Sequence, residues 1–330
     1  MNRAGKEKLE LLRADYNLIR GRPFDHFFCP LLYRDDDVEL SRAHIINAAF
    51  PGSARKWTIQ RTDVDGFFGS MFEADFLTLQ YRDKKNLLDS LGNAALGRLL
   101  RPRIFFKGDE LEYYAPTKIL PAAHSRIVVE QEGKRPVPLV IKLAPAQLLS
   151  GIDTDLDIRI EKDIRLPALV SLLKAAHLTM FDMLGYRYAL SSGGHFLGHD
   201  ILGAFYQANR QHDKTVVLSA ANIHFREFVN LVRPILSAPP AFNGTATDKC
   251  LFVCTGSPKP WAFMALIKTG EHMHGVLVPI LEDAEGAARF ASMLKSSTPR
   301  FEVRLARYEG SRWEMETNSR MIEWPAANFE

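Results

Sequence analysis

Residues 166–184, LPALVSLLKAAHLTMFDML, carry the strongest helical signal in the chain. Leu166, Leu169, Val170, Leu173, Ala176, Met180 and Leu184 recur at intervals of three and four, which puts them on one face of an α-helix. Gly185 follows as the stop, since glycine accepts the left-handed backbone that ends many helices. An apolar face of this length needs a partner surface, so the segments on either side have to build one.

With 330 residues the chain has room for two domains, domains commonly holding about 100–200 residues. A hydrophobic share of 46% with 25% charged residues belongs to an ordinary globular protein and excludes a disordered one. No run of about 18 apolar residues free of charge occurs, so no membrane span is expected. The first 22 residues are charged and amphipathic, without the apolar core of a signal peptide, and cytoplasmic residence is the expectation. Cys29, Cys250 and Cys254 are too few for a disulfide framework, and an odd number fits a reducing compartment. A net charge of +3 permits a nucleic-acid partner without demanding one.

Along the chain, residues 6–20 space Leu9, Leu12, Tyr16 and Ile19 as an amphipathic helix ended at Gly21–Pro23. The aromatic run 24–32 reads as a strand or knuckle, 39–46 as a strand or the start of a loop, and Pro51-Gly52-Ser53 as a turn. A helix over 65–89 carries Phe67, Phe68, Met71, Phe72 and Phe76, with 84–100 as a second helical piece. Near residue 101 the period changes. A hairpin spans 104–114 around Gly108-Asp109, and strands follow at 125–131 and 138–143. The last third reads as strands at 214–218, 250–254, 261–268 and 275–281, a helix at 284–294, and a closing hairpin of 301–308 with 312–316. The fold class is α+β, with a domain boundary expected near residue 101.

The candidate chemistry lies in residues 27–76. His44 has the near-neutral pKa of a general base, and Asp63 and Asp65 at a helix entrance offer oxygen ligands to a hard cation. Either acid would equally serve as a helix N-cap, and a histidine followed by two isoleucines on a strand is often structural. Glu73 reads as solvated helix surface. Elsewhere, His195 and His199 would share a face and hold one ion if the segment were helical, although Gly193, Gly194 and Gly198 count against a regular helix. His272 and His274 read as surface residues, and Cys250 and Cys254 as buried thiols of a strand. Neither a Gly-rich nucleotide loop nor a Gly-x-Ser-x-Gly elbow is present. Trp57, beside Arg55 and Lys56, has the chemistry either to stack on a base or to cap a core.

The ordered series Cys29, Ala43-His44-Ile45-Ile46, Val64-Asp65, Phe67-Phe68-Gly69 and Phe72-Glu73 resembles the HNH endonuclease family, over roughly residues 27–80. The likeness is to its bacterial branch, which has a Cys-x2-Cys knuckle, a Glu-His-Ile or Asp-His-Ile signature, and a later Cys-Asn before a Gly-containing helix. The segment around Leu172-Leu173-Lys174-Ala175-Ala176 also echoes a downstream helix of some members. The resemblance implies an N-terminal ββα-metal (HNH-like) unit within residues 1–100, followed by a larger mixed α/β region with antiparallel sheet over 101–330. It further implies a metal-dependent endonuclease that hydrolyses phosphodiester bonds of DNA or RNA. In that role His44 is the general base, Asp65 with Asp63 binds Mg2+ or a similar divalent ion, and Arg42, Arg55, Lys56 and Arg61 contact phosphate.

Leu32, Arg61 and Val64 stand where the family has cysteines, so no structural zinc is expected, and Leu32 and Val64 would pack in its place. Ala43 replaces the acidic neighbour of the histidine. That replacement motivates the alternative, an HNH-like nucleic-acid-binding or regulatory protein without catalysis. Target selection, signal sensing and self-association as a homo-oligomer remain open roles for residues 101–330.

Overall fold

The structure, a computed structural model, describes residues 2–46, 56–73, 76, 103–106, 109–114, 124–129, 137–142, 156–159, 165–209, 249–254, 261–269, 272–280, 284–295, 300–309 and 312–323. It divides into two compact units, residues 1–73 with 169–330, and residues 74–168. The composition shift at residue 101 falls inside the second unit. Helices and small antiparallel sheets make up both the N-terminal part and the last third, so the architecture is α+β.

In the first unit, α1 (Arg3–Arg20) starts at Asn2, whose side chain accepts the Gly5 amide, and ends at Gly21. Leu12 and Tyr16 of its expected face are buried, while Ile19 is 38% exposed. Tyr16 packs into an aromatic group with Phe24, Phe28 and Tyr186, with ring centroids 5.0–5.5 Å from its own. The run 24–32 forms a loop, with a single bridge between Phe28 and Asp35. A tight turn closes it, the Cys29 amide donating to Arg34 O and the Tyr33 amide to Cys29 O.

Strands β1 (Leu40–His44) and β2 (Trp57–Arg61) pair antiparallel, Leu40 opposite Arg61 and His44 opposite Trp57. No loop intervenes after β2. Arg61 occupies the N-cap position of α2 (Thr62–Phe68), so the helix begins three residues earlier than expected and Asp63 and Asp65 fall in its first turn. Negative charge there faces the positive end of the helix dipole. A π-helical turn, Gly69–Glu73, continues α2. The remainder of the expected 65–89 helix, apart from Phe76, and the 84–100 piece lie outside the described residues.

The second unit holds two small antiparallel sheets. In one, β3 (Arg103–Phe106) lies between β4 (Asp109–Leu111) and β8 (Leu156–Arg159), and Phe106 stands opposite Asp109 in the expected hairpin. In the other, β7 (Val137–Lys142) lies between β5 (Tyr113–Tyr114) and β6 (His124–Val129).

The predicted central helix is α3 (Arg165–Leu184). Every residue from 168 to 181 is buried, so it is covered all round and not on one face alone. Gly185, at φ +59°, ends it by donating its amide to Phe181 O. There follow α4 (Tyr186–Ala189), a short turn capped by Ser191, a π-helical segment over His195–Gly203, and α5 (Ala204–Asn209). The C-terminal sheet has strands β9 (Lys249–Cys254), β10 (Ala262–Thr269), β11 (His272–Pro279), β12 (Arg300–Glu309), β13 (Arg312–Met315) and β14 (Arg320–Glu323). Their order is β11-β10-β9-β12-β13, with β14 also on β12.

One sheet face packs Trp261, Met264, Leu277 and Phe301 against Phe290 and Met293 of α6 (Ala284–Lys295). The other face meets the α4 region, where the Tyr188 and Phe263 rings are 6.2 Å apart. This double cover buries His274, which the sequence reading placed at the surface. The expected strand 214–218 lies outside the described residues. No helix among the described residues is long and apolar enough to cross a membrane.

The π-helical segment is pressed onto the 24–32 loop at Gly198, where an added Cβ would meet Pro30 O at 2.7 Å and run into His177. Overpacking of this kind costs about 1–3 kcal/mol. Gly198→Ala is therefore expected to lower the unfolding free energy measured by urea denaturation by that amount while the far-UV spectrum stays native.

Candidate functional site

Lys174 lies midway along α3 and is 2% exposed. Its Nζ donates to Asp65 Oδ1 at 2.8 Å and to Glu73 Oε1 at 2.9 Å. Burial alone would push the ammonium pKa down, but Glu73 and Asp65 outweigh it and hold the pKa above its ordinary value. Glu73 is therefore no solvated surface residue: its side chain is 14% exposed and ion-paired. Ser41 Oγ, on β1, lies 3.5 Å from the second oxygen of Asp65.

A second ionic group sits at the start of α2. Arg61 Nε and Nη2 each lie 3.0 Å from an oxygen of Asp63, a bidentate pair, and Nη1 binds Asp36. Tyr206 donates its hydroxyl to Asp63 Oδ2 at 3.0 Å, and the Val64 amide reaches Oδ1 at 2.9 Å. Burial would raise the Asp63 carboxyl, but Arg61 and Tyr206 hold it below the usual range. The guanidinium is raised above its ordinary value, chiefly by Asp63. Burial pushes the neighbouring Cys29 thiol up to about 11, leaving it protonated and unreactive at neutral pH. Cys29, Leu32, Arg61 and Val64 are 0%, 2%, 5% and 0% exposed.

His44 stands apart from these acids. Alternation along β1 leaves Arg42 and His44 exposed on one face, while Ser41 and Ala43 turn toward α2. Ser41 is the residue that meets Asp65. His44 is three residues further on and points the other way, so the structure does not bring it to Asp65. Strand geometry adds about 10 Å between positions 41 and 44. On the His44 face, the Arg42 guanidinium lies 4.0 Å from the centre of the Trp57 ring and the Lys8 ammonium 5.1 Å from it. Trp57 thus holds two cations by cation–π attraction, the second of which also pairs with Asp182. Lys56 is partly buried beside it, and its carbonyl accepts the Ile45 amide. Arg55 lies outside the described residues.

Of the six expected site residues that the structure describes, Arg42, His44 and Lys56 lie around Trp57, and Asp63, Asp65 and Arg61 lie together at the start of α2. There each carboxylate already serves a cation of the chain itself. A divalent ion bridging Asp65 and Glu73 would have to expel the Lys174 ammonium, stranding a charge in the core. The donor set as placed does not fit such an ion. Local sequence does not mark Glu73, Asp36 or Tyr206 as partners of these groups. One signal did exist for Lys174: a lysine in the middle of an otherwise apolar helix.

His177, one turn beyond Lys174, is wholly buried. Its Nδ1 lies 3.1 Å from Tyr188 Oη, and burial depresses its pKa to about 3. A separate cluster among the described residues consists of His195, His199 and Asp200 on the π-helical segment.

Two outcomes follow from these buried groups. Lys174→Met leaves two acids facing each other without their cation, and is expected to destabilise the fold by about 3 kcal/mol, the lower end for broken buried pairs because Asp65 keeps some solvent contact; chemical denaturation measures it. For His177, the folded pKa lies below the unfolded one, so the unfolded state takes up the proton first as pH falls. Stability is unaffected above about pH 6.5 and declines by about 1.4 kcal/mol per pH unit between there and pH 3 from this group. His177→Gln is expected to show a shallower decline over the same window in pH-dependent urea denaturation.

No protein-family model matches the chain, and neither a curated protein nor a solved structure matches it at a significant level.

Proposed function

We propose that this chain binds nucleic acid through the exposed face of the β1–β2 hairpin, on a ββα frame of HNH type whose acids are neutralised internally and do not hold a catalytic metal ion. The observation that carries this reading is the Lys174 ammonium seated between Asp65 and Glu73. Hydrolysis at these acids would need a divalent ion where the chain supplies a lysine.

The frame has further support. A hairpin runs into a helix packed on it, and the four positions that resemble the knuckle cysteines are all buried. Where thiolates would converge on zinc, Leu32 and Val64 pack, and Arg61 ties Asp36 to Asp63. For binding, Arg42 is exposed, held in place over Trp57, and paired with no carboxylate among the described residues. His44 lies beside it on the same face. A fixed cation of this kind suits contact with phosphate, which positions a nucleic acid without reading its sequence.

Fluorescence anisotropy of the full chain with labelled single- and double-stranded DNA and RNA tests the reading, in chelator and in Mg2+ or Mn2+. Binding is expected to be equal in both, to weaken with salt, and to leave the polymers intact on gels. Arg42→Ala is expected to weaken it for every sequence and to reduce the salt slope by about 1. Chelator-sensitive cleavage that His44→Ala abolishes would overturn the reading in favour of a metal-dependent nuclease. Absence of binding to every polymer would remove it altogether.

A further inference from the structure

The π-helical segment His195–Gly203 gathers three donors on one patch of surface. His195 Nδ1 lies 3.3 Å from one oxygen of Asp200, and His199 Nδ1 lies 3.0 Å from the other. The two imidazole centroids are 4.7 Å apart, and one donor atom from each of the three residues falls within 4.8 Å of the others. The wider helix causes this. An α-helix would carry residue i+5 about 140° past residue i, whereas a π-helix, bonded from i to i+5, returns it toward the same side.

The cluster is held from behind. The Tyr33 ring packs edge-on to His195 at 4.6 Å and to His199 at 5.2 Å, and its hydroxyl donates to Ala189 O. Tyr33 sits at φ +54°, a costly conformation for a non-glycine residue that surrounding contacts must hold. Gly198 and Gly203 press the segment against the Pro30 and Leu31 carbonyls, fixing the backbone that carries the rings. A supported frame of this sort is what a metal site needs for its ligands to converge.

We propose that His195, His199 and Asp200 form a three-ligand site for a transition-metal ion of the zinc class. Two imidazole nitrogens and one carboxylate oxygen suit Zn2+, Co2+ or Ni2+ better than Mg2+ or Ca2+, which favour all-oxygen shells. Ligand atoms about 2.0–2.1 Å from a tetrahedral Zn2+ sit about 3.3–3.4 Å from one another; each imidazole already lies 3.3 or 3.0 Å from one of the two Asp200 oxygens, and the three-atom set, within 4.8 Å, would draw in around the ion. The three side chains are 46%, 37% and 42% exposed, so the ion would reach the site from solvent and keep its remaining coordination position open. The site shares no residue with the hairpin face, and neither reading depends on the other.

Calorimetric titration of the full-length, tag-free, chelator-stripped chain with Zn2+ tests this, alongside Co2+ absorption. One equivalent is expected to bind with micromolar or tighter affinity. His195→Ala and His199→Ala are each expected to weaken it at least about tenfold, while His26→Ala leaves it unchanged. The Co2+ complex is expected to show nitrogen and oxygen ligation without a thiolate charge-transfer band. Thermal melts in chelator establish that the variants are folded; should an alanine variant not fold, Asp200→Asn and the wild-type Co2+ spectrum decide. Lack of a stoichiometric site, undiminished binding by the His195→Ala/His199→Ala double variant, or a thiolate band would each overturn the proposal.

Discussion

A charged amine at the centre of a helix buried on every side is costly unless opposite charge is brought to it. In this protein the amine is Lys174, and the charge arrives from α2 and the π-helical turn after it, through Asp65 and Glu73. Both acids must reach one nitrogen, so the axial position and rotation of α2 against α3 are set within the length of a hydrogen bond. The β1–β2 hairpin is then placed as well, because β2 passes into α2 without an intervening loop. A shift of one helical position would leave all three charges unmatched.

Arg61 does for the near end of α2 what Lys174 does for its far side. Its planar guanidinium spans Asp36 in the loop and Asp63 on the helix, a geometry that lysine could not reproduce. The loop, hairpin and helix share one compact unit with residues 169–330, and buried Leu32 and Val64, with the arginine fork at 61, tie the loop to the start of α2. The consequence for function is direct. Asp63, Asp65 and Glu73 anchor the chain's own cations, while Arg42 and His44 stand exposed on the opposite face of the hairpin.

Much of the secondary structure was legible because it follows from local periodicity. The helix at 165–184, its stop at Gly185, the helix at 284–295 and the hairpins around residues 108 and 310 occur where the spacing of apolar and turn residues put them. Histidines 195 and 199 could be read as a pair sharing one face, but the arrival of Asp200 beside them depends on a π-helical ladder that i, i+4 arithmetic does not foresee. The start of α2 was misjudged by three residues because Arg61, a residue with no capping preference, holds the N-cap position. Glu73 and His274 were read as exposed, since neither carries a local mark of burial.

By itself, the sequence determined most of the segments that are helical or extended, and which residues have the chemistry to hold charge. Those properties depend on residue type and on neighbours within a turn or a strand. Tertiary structure alone decided which charges meet. Lys174 finds Asp65 and Glu73 across 109 and 101 residues of chain, Tyr206 reaches Asp63 across 143, and Tyr33 reaches Ala189 across 156. Contacts of that range have no periodicity to read. They are chosen by the packing that buries α3, and with them the fate of each candidate acid is chosen too.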